Sequence, residues 1–315
     1  MRSLVPMSIF FHRLLRHPFL LYSLTLLLVS GCDSNNQPES ARSQSSPVVV
    51  SIKPIAMIAR EIVGDGTQIV QLVGSGDPHH YAPKVTDRAA IEHAQVVVWM
   101  GPAMEAVLAR QMTQVPKDRQ LELLSAGGYE YEGGDSADPH LWLRPRNAAV
   151  MAAHIATRMA ELNPGLAESY RQRARDFSRA MANLQKVQDR ALWAYRDVPI
   201  VTTHQAYGHF FGPAGVAVES LGTAASHQHG ARTMLEKGAA VNTGGGVRGC
   251  LFGEVPANAR DRQTAEHLGL DYQPLDPLGI DLPAQSTYMQ LMEKLLADAR
   301  LCLSRVPDSP GSQKD

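Results

Sequence analysis

The sequence predicts an α/β protein of two lobes with mainly parallel sheets, joined by one long rigid helix. Two observations predict it. Short Val/Ile-rich runs bounded by turn residues alternate with helix-like stretches, the pattern of parallel strands buried on both faces. One segment, 164–194, interrupts the alternation with no strand signal and an apolar stripe at helical spacing.

The strand-length runs are PVVVSI (47–52), TQIVQLV (67–73) and AQVVVWMG (94–101), then VPIVTTH (198–204), VAVESLG (216–222) and RGCLFGE (248–254). Helix-like stretches lie among them: IAMIAREIVG (55–64), VTDRAAIEHA (85–94), GPAMEAVLARQM (101–112) and NARDRQTAEHLG (258–269). In the interrupting segment Tyr170, Ala174, Phe177, Met181, Leu184 and Leu192 mark one face of a helix. About 30 residues at about 1.5 Å each make a rod of roughly 45 Å. Such a rod fits poorly inside one compact lobe and suits a connector between two, with a cleft between them.

At the start, Arg2, Arg13 and Arg16 precede FLLYSLTLLLVS, an apolar run too short to span a bilayer comfortably. It reads as a secretory signal, with an uncleaved anchor helix as the alternative. The run closes on VSGC, which resembles a bacterial lipoprotein cleavage box with Cys32 as the acylated first residue of the mature chain. The polar DSNNQPESARSQSS that follows lacks apolar periodicity and reads as a flexible tether. The predicted organisation is a signal peptide (1–31), a tether (32–46), an N-terminal α/β lobe (47–163), a linking helix (164–195), a C-terminal α/β lobe (196–305) and a tail (306–315).

Without residues 1–31 the chain carries 27 basic against 31 acidic residues, a net charge of −4, which argues against nucleic acid as a partner. Cys250 and Cys302 form an even pair in an exported chain, read as a disulfide or as two buried thiols. The Gly-rich pieces GSG (74–76) and NTGGGVRG (242–249) match no phosphate loop and read as turns.

Four polar residues sit where strands give way to loops: His79 after TQIVQLV, His140 in DPHLWLRP, His204 at the end of VPIVTTH, and Asp276 in PLDPLG. Ligands of open α/β sheets bind outside the carboxyl ends of strands, so these four are candidates for one cleft. Taken singly, each has a plainer reading, a solvated loop histidine or an Asx-type turn. No HExxH, CxxC or EF-hand loop is present. His227 and His229, in SHQHG, read as an exposed loop or as a minor auxiliary metal pair.

SIKPIAMIAREIVGD, DPHHYAPKVTDRAAIEHAQVVVWMGPAMEAVL, HLWLRP, THQAYGHFF, CLFGEV and LDPLG resemble, in order and over nearly all of the mature chain, the zinc-specific solute-binding proteins of bacterial ABC uptake transporters. That resemblance implies two α/β lobes joined by a rigid helix, with a metal cleft between them. It implies ligands at His79, His140 and His204, and at Asp276 as a fourth ligand whose place water or another carboxylate takes in some members. It pairs Cys250 with Cys302 as a disulfide, and it leaves His80 at a variable position. The implied cargo is Zn²⁺, and the implied partners are an ABC permease and its ATPase, with the membrane reached through lipid at Cys32. Asp33 after Cys32 resembles the signal that keeps enteric lipoproteins at the inner membrane, so the expected location is extracytoplasmic and periplasmic.

Three imidazoles and one carboxylate suit tetrahedral zinc, whereas manganese prefers more oxygen donors. Manganese members that resemble this sequence have glutamate at the position of His204. The family's long His/Asp-rich loop before HLWL is here only EYEGGDSAD. The expectation is a receptor and not an enzyme. The alternatives are a manganese or other divalent-metal receptor, a zinc-dependent hydrolase, for which a closed site with Asp276 as fourth ligand is unfavourable, and an adhesin.

Overall fold

The computed structural model describes residues 46–132, 138–222 and 249–306. The expected signal, Cys32 and all but the last residue of the tether lie outside those residues, as do His227 and His229 and nearly all of the tail.

The first sheet contains β1 (Val48–Val50), β2 (Ile69–Gln71), β3 (Val96–Trp99) and β4 (Gln120–Glu122), in the order β2-β1-β3-β4. All its pairs are parallel, with Val49 opposite both Val70 and Val97. The second contains β5 (Ile200–Thr202), β6 (Glu219–Ser220), β7 (Cys250–Glu254) and β8 (Asp271–Leu275), again parallel and in the order β6-β5-β7-β8. The two lobes thus repeat one topology that the sequence does not show as a repeat. In each, the chain steps to one side of its first strand and then crosses to the other. The carboxyl ends of β1 and β3, and of β5 and β7, therefore flank a crevice.

The helices are α1 (Lys53–Val63), α2 (Val85–His93), α3 (Ala106–Met112), α4 (Leu123–Ala126), α5 (Pro145–Leu162), α6 (Ala167–Trp193), α7 (Gly208–Phe211), α8 (Ala259–Leu268) and α9 (Tyr288–Leu303). The long helix is present. A 3-10 turn at Pro164–Leu166 leads into α6, which buries Tyr170, Ala174, Phe177, Met181, Leu184 and Leu192, the predicted stripe. Its 27 residues make a rod of about 40 Å.

α6 does not join the sheets alone. α5 packs along it after a short turn, as an αα-hairpin, and a single apolar core runs from Val48, Ile55 and Met151 through Phe177 to Phe252, Tyr288 and Leu295. Smaller clusters cover the outer faces, with Ile91 of α2 and Leu108 of α3 on the first sheet and Ala265 and Leu268 of α8 on the second. Among the described residues no helix is long and apolar enough to cross a membrane.

The strand and helix pattern predicts neither α5 nor α9, nor β4, and it marks β8 only as the short apolar stretch before Asp276. α5 is legible in retrospect: Pro145 opens it, and Ala148, Met151, Ala152, Ile155, Ala156 and Met159 are buried at spacings of three and four. α9 carries a capping box, with Thr287 and Gln290 each accepting from the other's backbone N–H. β4 reads QLE, with no apolar alternation, and β8 contains Pro274, which its place at the sheet edge tolerates.

Glu105, fully buried at the start of α3, accepts from the backbone N–H of Met100 (2.9 Å) and Gly101 (3.1 Å) where β3 ends. Burial pushes its pKa up to about 7 from an ordinary 4.5. The folded state then holds a proton that the unfolded state has lost between pH 4.5 and about 7. This contribution to stability is complete below pH 4.5 and disappears as pH rises through about 7. Glu105→Gln keeps the acceptor and removes the titration. The expected outcome in urea unfolding is a variant no more stable than wild type at pH 4.5 and more stable at pH 8, by about 3 kcal/mol at most. Parallel pH profiles would contradict it.

Candidate metal centre

Two of the loops begin with the same tripeptide. In Asp77-Pro78-His79 the aspartate Oδ1 accepts the backbone N–H of His79 at 2.9 Å, and in Asp138-Pro139-His140 the aspartate Oδ1 accepts that of His140 at 3.0 Å. Each is an Asx-type turn that proline favours, and each delivers its histidine at the start of a tight helical turn, Pro78–His80 or Leu141–Leu143. His204 arrives differently, two residues beyond the end of β5.

The three rings converge. Centroids lie 5.4 Å apart for His79–His140, 5.5 Å for His79–His204 and 4.8 Å for His140–His204, and one ring nitrogen from each forms a group within 4.8 Å of one another. Tetrahedral zinc with nitrogens at about 2.0–2.1 Å needs about 3.3 Å between them, so closing on an ion draws the rings inward.

Carboxylates orient two of the rings. His140 Nδ1 lies 2.8 Å from Asp138 Oδ1, and His204 Nδ1 lies 2.9 Å from Glu254 Oε1. An ionised carboxylate only accepts, so Nδ1 carries the proton and Nε2 keeps its lone pair for a ligand. Glu254 ends β7 beside β5, so the His204–Glu254 bond spans the crevice of the second sheet. The Tyr207 hydroxyl donates to the same Glu254 oxygen at 3.4 Å. The third ring has an unpartnered nitrogen: His79 Nε2 is buried and finds no hydrogen-bond partner among the described residues. Such an atom is costly to bury unless something binds it.

The electrostatics follow from these contacts. Burial, reinforced by neighbouring His140, pushes the His79 pKa down to about 4, so this ring is neutral near pH 7. Burial opposes charge on His204 as well, but the hydrogen bond and charge of Glu254 outweigh it and hold its pKa above the ordinary value. For Asp138, burial is outweighed by the hydrogen bond and charge of His140, and its carboxyl lies below the usual range.

His80 takes another direction. Its Nδ1 lies 2.7 Å from Asp77 Oδ2, its side chain is 64% exposed, and it is not in the group of three. Successive residues of a 3-10 turn point about 120° apart, which divides the adjacent pair.

Asp276 immediately follows β8 and is buried, but it too lies outside the group of three. Its oxygens accept from the backbone N–H of Ile280 and Asp281, both at 2.8 Å. The loop it closes is clasped by the first lobe: Lys53 donates to the carbonyls of Gly279 and Leu282, and the Trp142 indole N–H donates to that of Pro277 at 2.9 Å. Each carboxylate oxygen has a second lone pair, so these bonds leave acceptor capacity. Cys250 and Cys302 are disulfide-bonded, fastening the end of α9 to the start of β7.

Asp138 and Glu254 are the site residues that sequence reasoning misses. The repeated Asp-Pro-His was a usable signal for Asp138. For Glu254 the only local hint was its place at the end of a strand run.

Two parallel-sheet lobes sharing one core, with three imidazoles meeting from loops of both lobes, have the plan of a two-lobed solute-binding receptor. The chain belongs to the zinc-uptake complex component A (periplasmic) family, whose model matches residues 48–299. Among its relatives, the high-affinity zinc uptake system protein ZnuA of Brucella suis is 26% identical, over 84% of this chain and 94% of its own length. The zinc-binding lipoprotein AdcA of Streptococcus pneumoniae is 24% identical, over 88% of this chain and 59% of its own. Among solved structures, the periplasmic zinc-binding protein TroA of Treponema pallidum aligns with a TM-score of 0.72 at 19% identity, covering 82% of this chain and 99% of that one. The likeness to TroA is one of fold.

Proposed function

We propose that this protein is an extracytoplasmic receptor that captures Zn²⁺ and delivers it to an ABC permease and its ATPase for import, with no chemical turnover. The observation that carries this reading is the trio of converging imidazoles, two held by carboxylates at Nδ1 and one with an orphaned buried Nε2. His79, His140 and His204 are the proposed ligands. A set of three nitrogens favours zinc over manganese, which seeks oxygen. Asp276, or water, supplies the fourth donor. Asp276 would do so through its remaining lone pairs or after loosening the 276–282 loop.

Residues 47–163 and 196–305 are the proposed lobes and 164–195 the link between them. Cys32 is the proposed lipid anchor, with the inner membrane as its site. His227 and His229 are a proposed minor auxiliary pair.

The test is calorimetry of the metal-free fragment from residue 47 onward, with a competing chelator. One tight zinc site is expected, and no binding after thorough chelation would sink the reading. Zinc at a thousandfold excess over Kd should also stabilise the fold by about 4 kcal/mol, a rise in Tm on the order of 10 °C. An unchanged Tm under saturating zinc would count against a site formed only in the folded state.

A further inference from the structure

We infer that His209 is a positioning residue for the metal site, acting from the second lobe through Asp138 on His140; this rests on the zinc reading above. His209 lies on α7, five residues after His204, and its side chain is 1% exposed. Its Nε2 is 3.4 Å from the Asp138 carbonyl oxygen and 3.7 Å from Asp138 Oδ2. The other Asp138 oxygen, Oδ1, takes both the backbone N–H and Nδ1 of His140. One aspartate is thus held between two histidines, His140 from the first lobe and His209 from the second.

Packing alone does not account for an imidazole here. The ring sits edge-on to Tyr131 with centroids 6.2 Å apart, a contact that phenylalanine would also make. His209 Nδ1 is buried and finds no partner among the described residues, so the polar atoms of this ring carry a cost that an apolar side chain would avoid. What the ring gains is contact with Asp138, through Nε2. The hydrogen bond goes to the Asp138 carbonyl and fixes its backbone, while Oδ2, 3.7 Å from Nε2, is held by attraction and not by a hydrogen bond. Together they keep Oδ1 on His140 Nδ1 and the His140 lone pair at Nε2.

The arrangement also couples the lobes. Residues 204–209 are one short stretch that both carries His204 and braces the aspartate behind His140. A shift of this stretch that moves one ligand therefore loosens the orientation of the other, from the opposite lobe.

The test compares His209→Phe, which keeps a ring and removes both nitrogens, with His209→Gln, whose amide nitrogen can stand in for Nε2. Zinc affinity should fall about 10–100-fold in His209→Phe and stay within about threefold of wild type in His209→Gln. Histidine ring ¹⁵N spectra of the metal-free proteins should show His140 losing its single Nδ1–H form in His209→Phe and keeping it in His209→Gln. Adding Asp138→Asn to His209→Phe should cost little beyond Asp138→Asn alone, because both act on one bond.

Wild-type affinity in His209→Phe, or additive losses in the double variant, would overturn the inference. If wild type itself fails to bind zinc, the zinc reading is what has failed. The metal-free spectra then still decide the role of His209, and an unchanged His140 tautomer in His209→Phe overturns it. Should His209→Phe not fold, His209→Leu makes the same comparison.

Discussion

Replacing His140 or His204 by alanine is expected to weaken zinc binding by at least about 100-fold, because outer partners of metal ligands alone are worth about 10–100-fold. Replacing His80 by alanine is expected to change it by less than about threefold. The contrast follows from geometry. His140 and His204 have the closest pair of rings in the trio, and each is oriented by a carboxylate at Nδ1. His80 sits next to a ligand in sequence, yet its ring goes to Asp77 Oδ2 while the other oxygen, Oδ1, holds the backbone of His79. Removing the His80 ring therefore leaves the bond that places His79. Competition against a chromophoric chelator measures all three variants, and equal losses for His80 and His140 would refute the ligand assignment.

Removing the disulfide, with Cys250→Ala and Cys302→Ala together, is expected to cost about 4 kcal/mol by loop-closure entropy. The bridged residues are 52 apart in sequence. In a chain of this size the loss corresponds to a fall in Tm on the order of 10 °C. Zinc affinity should stay within about threefold, because Cys250 opens β7 and Glu254 closes it, about 13 Å away along the strand. Scanning calorimetry of the metal-free protein checks the first part and chelator competition the second. A large loss of affinity would mean that the bridge, and not the pairing of β7 with β5 and β8, sets the register that brings Glu254 to His204.

Elements with a strong local period were legible in advance. The stripe from Tyr170 to Leu192 is buried as its spacing demands, and the Val/Ile runs at 48–50 and 96–99 are parallel strands at the centre of a sheet. Elements whose stability comes from their surroundings were not. β4 offers no apolar alternation and exists because β3 presents an open edge to it, with Leu121 pairing to Val98. α5 is rich in alanine, whose burial against α6 is decided by the neighbouring helix more than by its own hydrophobicity.

The site divides in the same way. Through Asp-Pro-His the sequence alone determined the local turns that aim His79 and His140, because an Asx-type turn involves residues two apart and needs nothing distant. It also determined that His79 and His80 part company, since a tight turn separates neighbouring side chains. Of the three histidines expected at strand ends, only His204 follows its strand closely, and His140 comes after α4 with no strand leading into it. Only the tertiary structure decided which rings meet, that Glu254 holds His204, and that Asp276 has both oxygens on its own loop. His204 and Glu254 are 50 residues apart and become neighbours because a crossover connection sets β7 beside β5. The pairing of distant strands is a property of the whole packed chain, and no local spacing encodes it.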